Sequence, residues 1–335
     1  MKNFFTILVL IFPFIMNAQI SASGTNNSGT YSSAVGYQTT ASGNYSTAMG
    51  YQTIASESYC TAMGYATTAN GSTSTSMGVS TMASGDGSTA MGNQTTASAN
   101  NSTAMGASTT ASGSASTSMG LATTASGNNS TAMGLSTTAS GSASTAMGFA
   151  AMASGSRSTA MGIYTKARDY GSLVIGHYNS SGSSVTNSAT SFSTSNTAFV
   201  IGNGTSSGLS DAFKVMFNGD ATVSNDLTVV GDIEVQSDAR LKSNIVSLGS
   251  TLPQLLQIDG KSYEMKGKQK IGVLAQEIKE VFPELVSEDD NEMLAVNYQG
   301  LVPVLINALK EQNKIIKSQD LRLSKIEKLL ANLNE

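Results

Sequence analysis

Tryptophan is absent from this chain of 335 residues, and cysteine and histidine each occur once. A single cysteine excludes an intrachain disulfide, and a single histidine, His177, cannot form a metal site alone. Charged residues make up only 12% of the chain and the formal net charge is −4. We therefore expect no basic surface for nucleic acid or for an anionic membrane.

Carboxylates are too scarce in the first half for a glycan-cleaving enzyme, which needs two of them close together. Between residues 21 and 200 the only acidic residues are Glu57, Asp86 and Asp169, far apart in sequence. We expect no cofactor and no metal. A regular column of methionines could suggest a soft-metal site, but a repeated core or trimer-contact position explains it better.

Cys60 occupies a position at which neighbouring repeats carry serine, as in Ser46 and Ser74. One interpretation is the replacement of one small side chain by another. The alternative is a thiol that crosslinks copies of the chain.

The first 18 residues have the features of a secretory signal peptide. Lys2 supplies a positive charge, and an apolar stretch from Phe4 to Ile15 follows that is too short to span a bilayer comfortably. Ala18 is a suitable small residue before a cleavage point, so the mature chain is expected to begin at Gln19. This predicts a secreted protein, extracellular or on the cell surface.

A period of fourteen residues runs through the region 19–178. Glycine recurs at this spacing at Gly36, Gly50, Gly64, Gly78, Gly92, Gly106, Gly120, Gly134, Gly148, Gly162 and Gly176. Methionine precedes each of these glycines from Gly50 to Gly162. A threonine column has the same spacing at Thr39, Thr53, Thr67, Thr81, Thr95, Thr109, Thr123 and Thr137.

This pattern does not suit an α-helix, because glycine and β-branched threonine are poor helix formers. Two short strands joined by glycine turns suit it better, with each repeat forming one coil of a parallel β-solenoid. A coil that offers mainly alanine and methionine buries little apolar surface alone. We therefore expect several copies to pack side by side.

The repeats resemble the heads of trimeric autotransporter adhesins of the YadA type. The resemblance rests on segments such as Ser46–Thr53 (Ser-Thr-Ala-Met-Gly-Tyr-Gln-Thr) and Ser102–Gly113. It implies a homotrimer of left-handed parallel β-rolls with 14-residue coils. Methionine stands here where that family often has isoleucine or valine.

Residues 179–235 are interpreted as a connector followed by a β neck. The connector is rich in serine, threonine and asparagine, and short β segments follow at 198–202, 212–220 and 227–235. Asn218-Gly219 is a turn signal.

Residues 236–335 are much richer in charge and form a separate module, a small α+β domain that ends in a helix. Its heptad positions are Val302, Leu309, Ile316, Leu323 and Leu330 with Leu305, Gln312, Gln319, Ile326 and Leu333. The pattern predicts a coiled coil over about 302–335 that is compatible with three strands. A monomeric amphipathic helix is the alternative.

This module resembles the endosialidase-type intramolecular chaperone, a self-cleaving serine peptidase family. The resemblance rests on Ser237-Asp-Ala-Arg-Leu-Lys, Gly272-Val-Leu-Ala-Gln-Glu-Ile and Asn297-Tyr298, in that order. It implies a domain that trimerises, guides folding of the preceding fibre and then cuts itself off. The resemblance makes Ser237 and Lys242 the catalytic dyad, with Asp238 and Arg240 completing the cleavage motif.

The chemistry is plausible in its own terms. A serine hydroxyl needs a neighbouring base, and a lysine can serve when burial lowers its pKa. The reaction is intramolecular and needs one turnover only, so positioning can supply much of the rate. Spacing alone would not single out this pair of residues.

We expect a mainly β, secreted, trimeric, adhesin-like fibre whose C-terminal domain releases itself at Ser237-Asp238. Its partners are further copies of itself and an unknown surface or extracellular ligand, with no nucleic acid. Two alternatives stay open: a structural fibre that retains its trimerisation domain uncut, and a solenoid that binds ice through flat threonine arrays.

Overall fold

The structure is a computed structural model that describes residues 23–289 and 292–333. These residues form two compact units, a first that ends at Val230 and a second that begins at Gly231. The predicted signal peptide at 1–18 lies outside the described residues.

Each coil of the first unit contains one long and one short strand. The long strands are Ser33–Tyr37, Thr47–Tyr51, Thr61–Tyr65, Thr75–Val79, Thr89–Asn93, Thr103–Ala107, Thr117–Leu121, Thr131–Leu135, Thr145–Phe149, Thr159–Ile163 and Leu173–His177. The short strands are Asn26–Asn27, Thr40–Ala41, Ile54–Ala55, Thr68–Ala69, Met82–Ala83, Thr96–Ala97, Thr110–Ala111, Thr124–Ala125, Thr138–Ala139, Met152–Ala153 and Lys166–Ala167.

Strand pairing follows the sequence repeat. Thr47 pairs with Thr61 in the long-strand sheet and Ala41 pairs with Ala55 in the short-strand sheet, both in parallel. The same shift of one repeat relates the strands of each coil to those of the next, as in Thr89 with Thr103 and Thr96 with Thr110. The predicted parallel β-solenoid is confirmed.

Small side chains fill the interior of each coil. Ala48 and Ala41 are fully buried, and so is Thr53. The whole threonine column that contains Thr53, from Thr39 to Thr137, is at most 1% exposed. That column therefore cannot present a flat array to ice, and the ice-binding interpretation is wrong for it.

The methionine column lies on the outer face of the long-strand sheet. Successive side chains of a strand point to opposite faces, so Ala48 points inward and Met49 outward. Met49 is 40% exposed and Met63 38%. The prediction that these methionines lie in the core is therefore wrong within a single chain. The alternative, that they contact other copies of the chain, stays a prediction.

Gly50 lies inside a long strand rather than in the turn that the sequence pattern predicts. Its φ of +125° is one that side-chain-bearing residues rarely adopt. A Cβ atom there would lie 2.1 Å from the carbonyl oxygen of Gly64. The glycine column is therefore required by the close approach of one coil to the next.

Cys60 is fully buried, and its Sγ lies 2.8 Å from the carbonyl oxygen of Glu57. Ser46 makes the equivalent contact, with Oγ 2.6 Å from the carbonyl oxygen of Gly43. Burial raises the pKa of the Cys60 thiol. The structure therefore favours the interpretation that Cys60 replaces a serine as a small buried side chain. A buried thiol is not placed to crosslink copies of the chain.

Three further strands extend the long-strand sheet beyond the repeats. Thr197–Asn203 pairs in parallel with Leu173–His177, and Asp211–Met216 then pairs antiparallel with Thr197–Asn203 and with Ala221–Val223. The segment 227–235, predicted as a strand, contains none. Its apolar side chains Leu227, Val229, Val230, Ile233 and Val235 are all exposed.

The second unit contains two antiparallel strand pairs, Lys261–Met265 with Lys268–Gly272 and Val286–Glu288 with Leu294–Val296. Its helices are α1 (Leu252–Leu255), α2 (Ala275–Val281) and α3 (Leu301–Leu333). Short 3₁₀ turns lie at Ala239–Leu241, Pro283–Leu285 and Tyr298–Gly300.

Ile278 of α2, Phe282 and Val304 of α3 form the core of this unit. The predicted small domain that ends in a long helix is confirmed. Among the described residues, no helix combines the length and the apolar character needed to cross a membrane.

Candidate functional site

The motif that begins at Ser237 folds into a single 3₁₀ turn, Ala239–Leu241. Asp238 precedes the turn, and its side chain accepts a hydrogen bond from the backbone N–H of Arg240 at 2.8 Å. An aspartate at this position satisfies a backbone donor that has no partner within the turn. The local sequence therefore determines where this turn begins.

Asp238 and Arg240 also form an ion pair. Nη2 of Arg240 lies 2.7 Å from Oδ2 of Asp238, and Nε lies 3.1 Å from each carboxylate oxygen. These hydrogen bonds from the Arg240 side chain and backbone hold the pKa of Asp238 below its ordinary value, and the pair raises the pKa of Arg240. An exposed pair contributes little stability, so its effect is to order the turn.

Ser237 and Lys242 lie on either side of this turn, and their side chains are in contact. The backbone N–H of Lys242 donates to the carbonyl of Ala239 at 3.1 Å, which brings the chain back toward its starting point. Nζ of Lys242 then lies 2.6 Å from Oγ of Ser237. This distance suits proton transfer between a nucleophile and its base.

An open cavity of about 540 Å³ lies beside the dyad. Its walls are Gln236, Ser237, Asp238, Arg240 and Leu241. Ser237 and Lys242 are exposed in the single chain. Both side chains are therefore accessible from solvent.

The other two sequence motifs of this unit meet each other. The hydroxyl of Tyr298 accepts a hydrogen bond from the N–H of Val273 at 3.2 Å, and a Cβ atom at Gly272 would lie 2.7 Å from that hydroxyl. The Asn297 side chain accepts from the N–H of Gly300 just before α3. The order of the motifs in the sequence predicted that they belong to one domain. It did not predict the contact between Tyr298 and the Gly272-Val273 segment.

Two protein families match separate regions of the chain. The family described as chaperone of endosialidase matches residues 237–287, beginning at the candidate nucleophile. The YadA head domain repeat matches residues 28–53, 83–109, 111–137, 139–165 and 153–178. The chain is therefore similar to YadA head repeats in its repeat region and to the endosialidase chaperone from Ser237 onward. Both resemblances found in the sequence are confirmed.

Curated relatives come from phage fibres. The chain is homologous to the long tail fiber protein Gp37 of Escherichia phage AR1, with 35% identity over 96 residues. It is 29% identical over 103 residues to the Gp37 proteins of Enterobacteria phages K3 and T2. The matches cover 25% to 28% of this chain but only 8% or 9% of those proteins.

Proposed function

We propose that the chain is a homotrimeric, secreted fibre of the adhesin type with a self-releasing chaperone domain. The C-terminal domain gathers three copies, guides folding of the repeats and then cuts the chain at the Ser237-Asp238 motif. The repeats remain as the mature fibre, which meets a surface or extracellular ligand.

The contact between Ser237 and Lys242 carries the proposal of self-cleavage. Lys242 Nζ accepts the hydroxyl proton, and Ser237 Oγ attacks a peptide carbonyl carbon of the motif. The peptide nitrogen leaves with the proton as the free amine, and water then hydrolyses the ester and restores the hydroxyl. One water molecule is consumed for each peptide bond broken.

Assembly precedes cleavage in this proposal. A lysine acts as a base in its neutral form, and burial favours that form. Lys242 is exposed in the single chain. Neighbouring copies in a trimer supply the cover, so the domain remains attached until the fibre has assembled.

The exposed heptad stripe of α3 supports trimerisation. Leu309 is 68% exposed and Ile316 46%, and Leu330 near the end of the helix is 55% exposed. Val304 and Ala308, on another side of the helix, are buried against the domain. An apolar stripe with no cover in its own chain is the pattern of a coiled-coil seam.

Two further apolar features suit the same assembly. The outward methionine column of the first unit and the exposed segment 227–235 are both without apolar cover in the single chain. A strand needs partners for its N–H and C=O groups, and two further copies can supply them to 227–235. This accounts for a strand pattern in a segment that forms no strand alone.

The predicted leader at 1–18 and the similarity of both modules to proteins of cell or phage surfaces support an extracellular location. Adhesin heads and phage tail fibres are the proteins that this chain resembles. A thin, weakly charged solenoid exposed outside the cell is consistent with both.

Expression of the mature chain tests the proposal. The parent and the variants Ser237→Ala, Lys242→Ala and Lys242→Arg are compared on denaturing gels and by intact mass, with Lys266→Ala as a matched lysine control. The parent and the control are expected to yield a fragment that ends at residue 236 or 237, and the intact mass shows on which side of Ser237 the bond breaks. The dyad variants are expected to stay full length.

A parent that stays full length while light scattering reports a trimer contradicts self-cleavage and establishes the alternative, a fibre that retains its trimerisation domain. A monomeric parent contradicts the trimer itself. The two parts of the proposal therefore fail separately.

A further inference from the structure

A cleft at the last coils of the solenoid combines a cation, aromatic rings and hydroxyl groups. Its volume is about 460 Å³, within the range of small-molecule sites. One wall consists of turn residues of successive coils, including Ser142, Arg157 and Tyr170. The other wall is the loop tip Thr190, Ser191 and Phe192. The loop tip lies outside the residues that either family matches.

Arg157 occupies a turn position that has left-handed backbone in every coil, with φ +61° at Arg157 itself. Equivalent positions of other coils hold tyrosine, threonine, alanine, asparagine or glycine, as in Tyr59 (φ +59°), Ala143 (φ +54°) and Asn129 (φ +57°). The turn therefore accepts several residue types, and Arg157 differs from the others by its charged side chain.

The guanidinium of Arg157 has no acidic partner within 23–289 and 292–333. It contacts the hydroxyl of Tyr170 and lies over that ring, with Cζ 5.4 Å from the ring centre. Arginine carries five N–H donors, so several remain for a ligand. The Arg157 guanidinium is exposed and held over the Tyr170 ring, so it can bind an anion without a large rearrangement.

The loop that closes the cleft is anchored to the coils. The N–H of Ser156 donates to the carbonyl of Ala189 at 2.8 Å, and that of Tyr170 to the carbonyl of Ser188 at 2.9 Å. The buried side chain of Asn196 bonds both the N–H and the carbonyl of Ser188. The loop is therefore held in place before any ligand arrives, which reduces the entropy cost of binding.

Buried Asp169 fixes the two ends of the same loop. Its carboxylate oxygens accept from the N–H groups of Thr186 and Thr197 at 2.6 and 2.9 Å. Phe192 at the tip packs edge-on against Phe217, with ring centres 5.2 Å apart, yet stays 61% exposed. An ordered, exposed ring at the mouth of a polar cleft offers a stacking surface.

We propose that this cleft binds a sugar unit that carries a carboxylate. The planar guanidinium of Arg157 takes the carboxylate through paired N–H···O bonds. The apolar face of the sugar ring packs on Phe192, and its hydroxyls bond to Ser142 and Ser191. The site lies within one chain, so the proposal depends neither on trimerisation nor on cleavage at Ser237.

Calorimetric titration of the mature full chain tests this assignment. The probes are methyl glucuronide, the neutral methyl glucoside of the same shape, and glucose 6-sulfate. The glucuronide is expected to bind at least about tenfold more tightly than the glucoside, the value of one charge-assisted bond. Equal affinities, or absence of binding by the glucuronide, overturn the proposal, and tighter binding of the sulfate overturns the carboxylate assignment.

Variants locate the site. Arg157→Asn is expected to lose at least about tenfold in affinity, while the circular dichroism spectrum stays unchanged because Asn129 occupies the equivalent turn. Adding Asn129→Arg to that variant restores an arginine two coils away, without the loop, and is expected not to restore binding. Phe192→Ala is expected to weaken binding of the glucuronide. An Arg157→Asn protein that binds like the parent places the ligand elsewhere and overturns the proposal.

Discussion

Oγ of Ser76 lies 2.7 Å from Oγ1 of Thr81, across the interior of one coil. Ser118 and Thr123 form the same pair at 2.7 Å. In most coils alanine occupies the serine position, as Ala104 does opposite Thr109. The Thr109 hydroxyl, although buried, has no hydrogen-bond partner among the described residues.

This pair predicts opposite effects of two substitutions. Ser76→Ala leaves the Thr81 hydroxyl buried without a partner and is expected to destabilise the solenoid by about 1–3 kcal/mol. Ala104→Ser gives Thr109 a partner and is expected to be neutral or stabilising. Urea unfolding followed by the β-sheet circular dichroism signal measures both, and a stabilising Ser76→Ala would contradict the role of the pair.

The turn that holds the dyad predicts a graded effect at Asp238. Asp238→Asn keeps a side chain that can accept from the Arg240 N–H but loses the ion pair, whereas Asp238→Ala loses both. Since a misplacement of about 1 Å can cost about a hundredfold in rate, self-cleavage is expected to slow in the asparagine variant and slow further in alanine. A time course on denaturing gels gives the rates. Equal rates in all three proteins would show that this turn does not position the dyad.

Glu311 predicts how the C-terminal unit responds to acid. The Ser250 hydroxyl, at 2.7 Å, and the N–H of Thr251, at 2.6 Å, donate to this carboxylate and hold the pKa of Glu311 below its ordinary value. Because the folded state favours the ionised form, the stabilisation is complete above the unfolded pKa and is lost as pH falls through the lower folded one.

The unit is therefore expected to keep this contribution above the ordinary glutamate pKa of about 4.3 and to lose it progressively as pH falls below that value. Glu311→Gln removes the titrating group, so the difference in stability between parent and variant should shrink in acid. Thermal unfolding at pH 7 and pH 3 measures that difference. A difference that is the same at both pH values would rule out a contribution from the ionised carboxylate.

The heptad of α3 predicts a position-dependent effect of charge on assembly. Ile316→Asp places a carboxylate in the proposed seam and is expected to convert the trimer into monomers. Ser318→Asp adds the same charge two residues along, on another face of the helix, and is expected to leave the trimer intact. Size-exclusion chromatography with light scattering reads the mass. Trimers in both variants would place the contact between copies outside this helix.

The sequence alone determined the first unit to a large extent. A strict repeat with glycine at one column and alanine at others leaves the backbone few choices, because each coil must satisfy its polar groups on equivalent coils. The repeat did not determine whether the side chains of each column face the interior or the outer surface of the solenoid. Methionine could be assigned to the core by its apolar character, and only the alternation along the long strand places Met49 outside and Ala48 inside.

The candidate site shows the same division. The motif from Ser237 to Lys242 identified the residues, but a spacing of five does not bring two side chains together. The 3₁₀ turn that Asp238 begins brings Lys242 Nζ to 2.6 Å from Ser237 Oγ. The segment 227–235 has the sequence of a strand yet forms none, since a strand requires a partner that its own chain does not place beside it. Local pattern determined which residues repeat and which carry chemistry, and tertiary structure decided which of them meet, because contacts across a turn or a loop depend on the path of the whole chain.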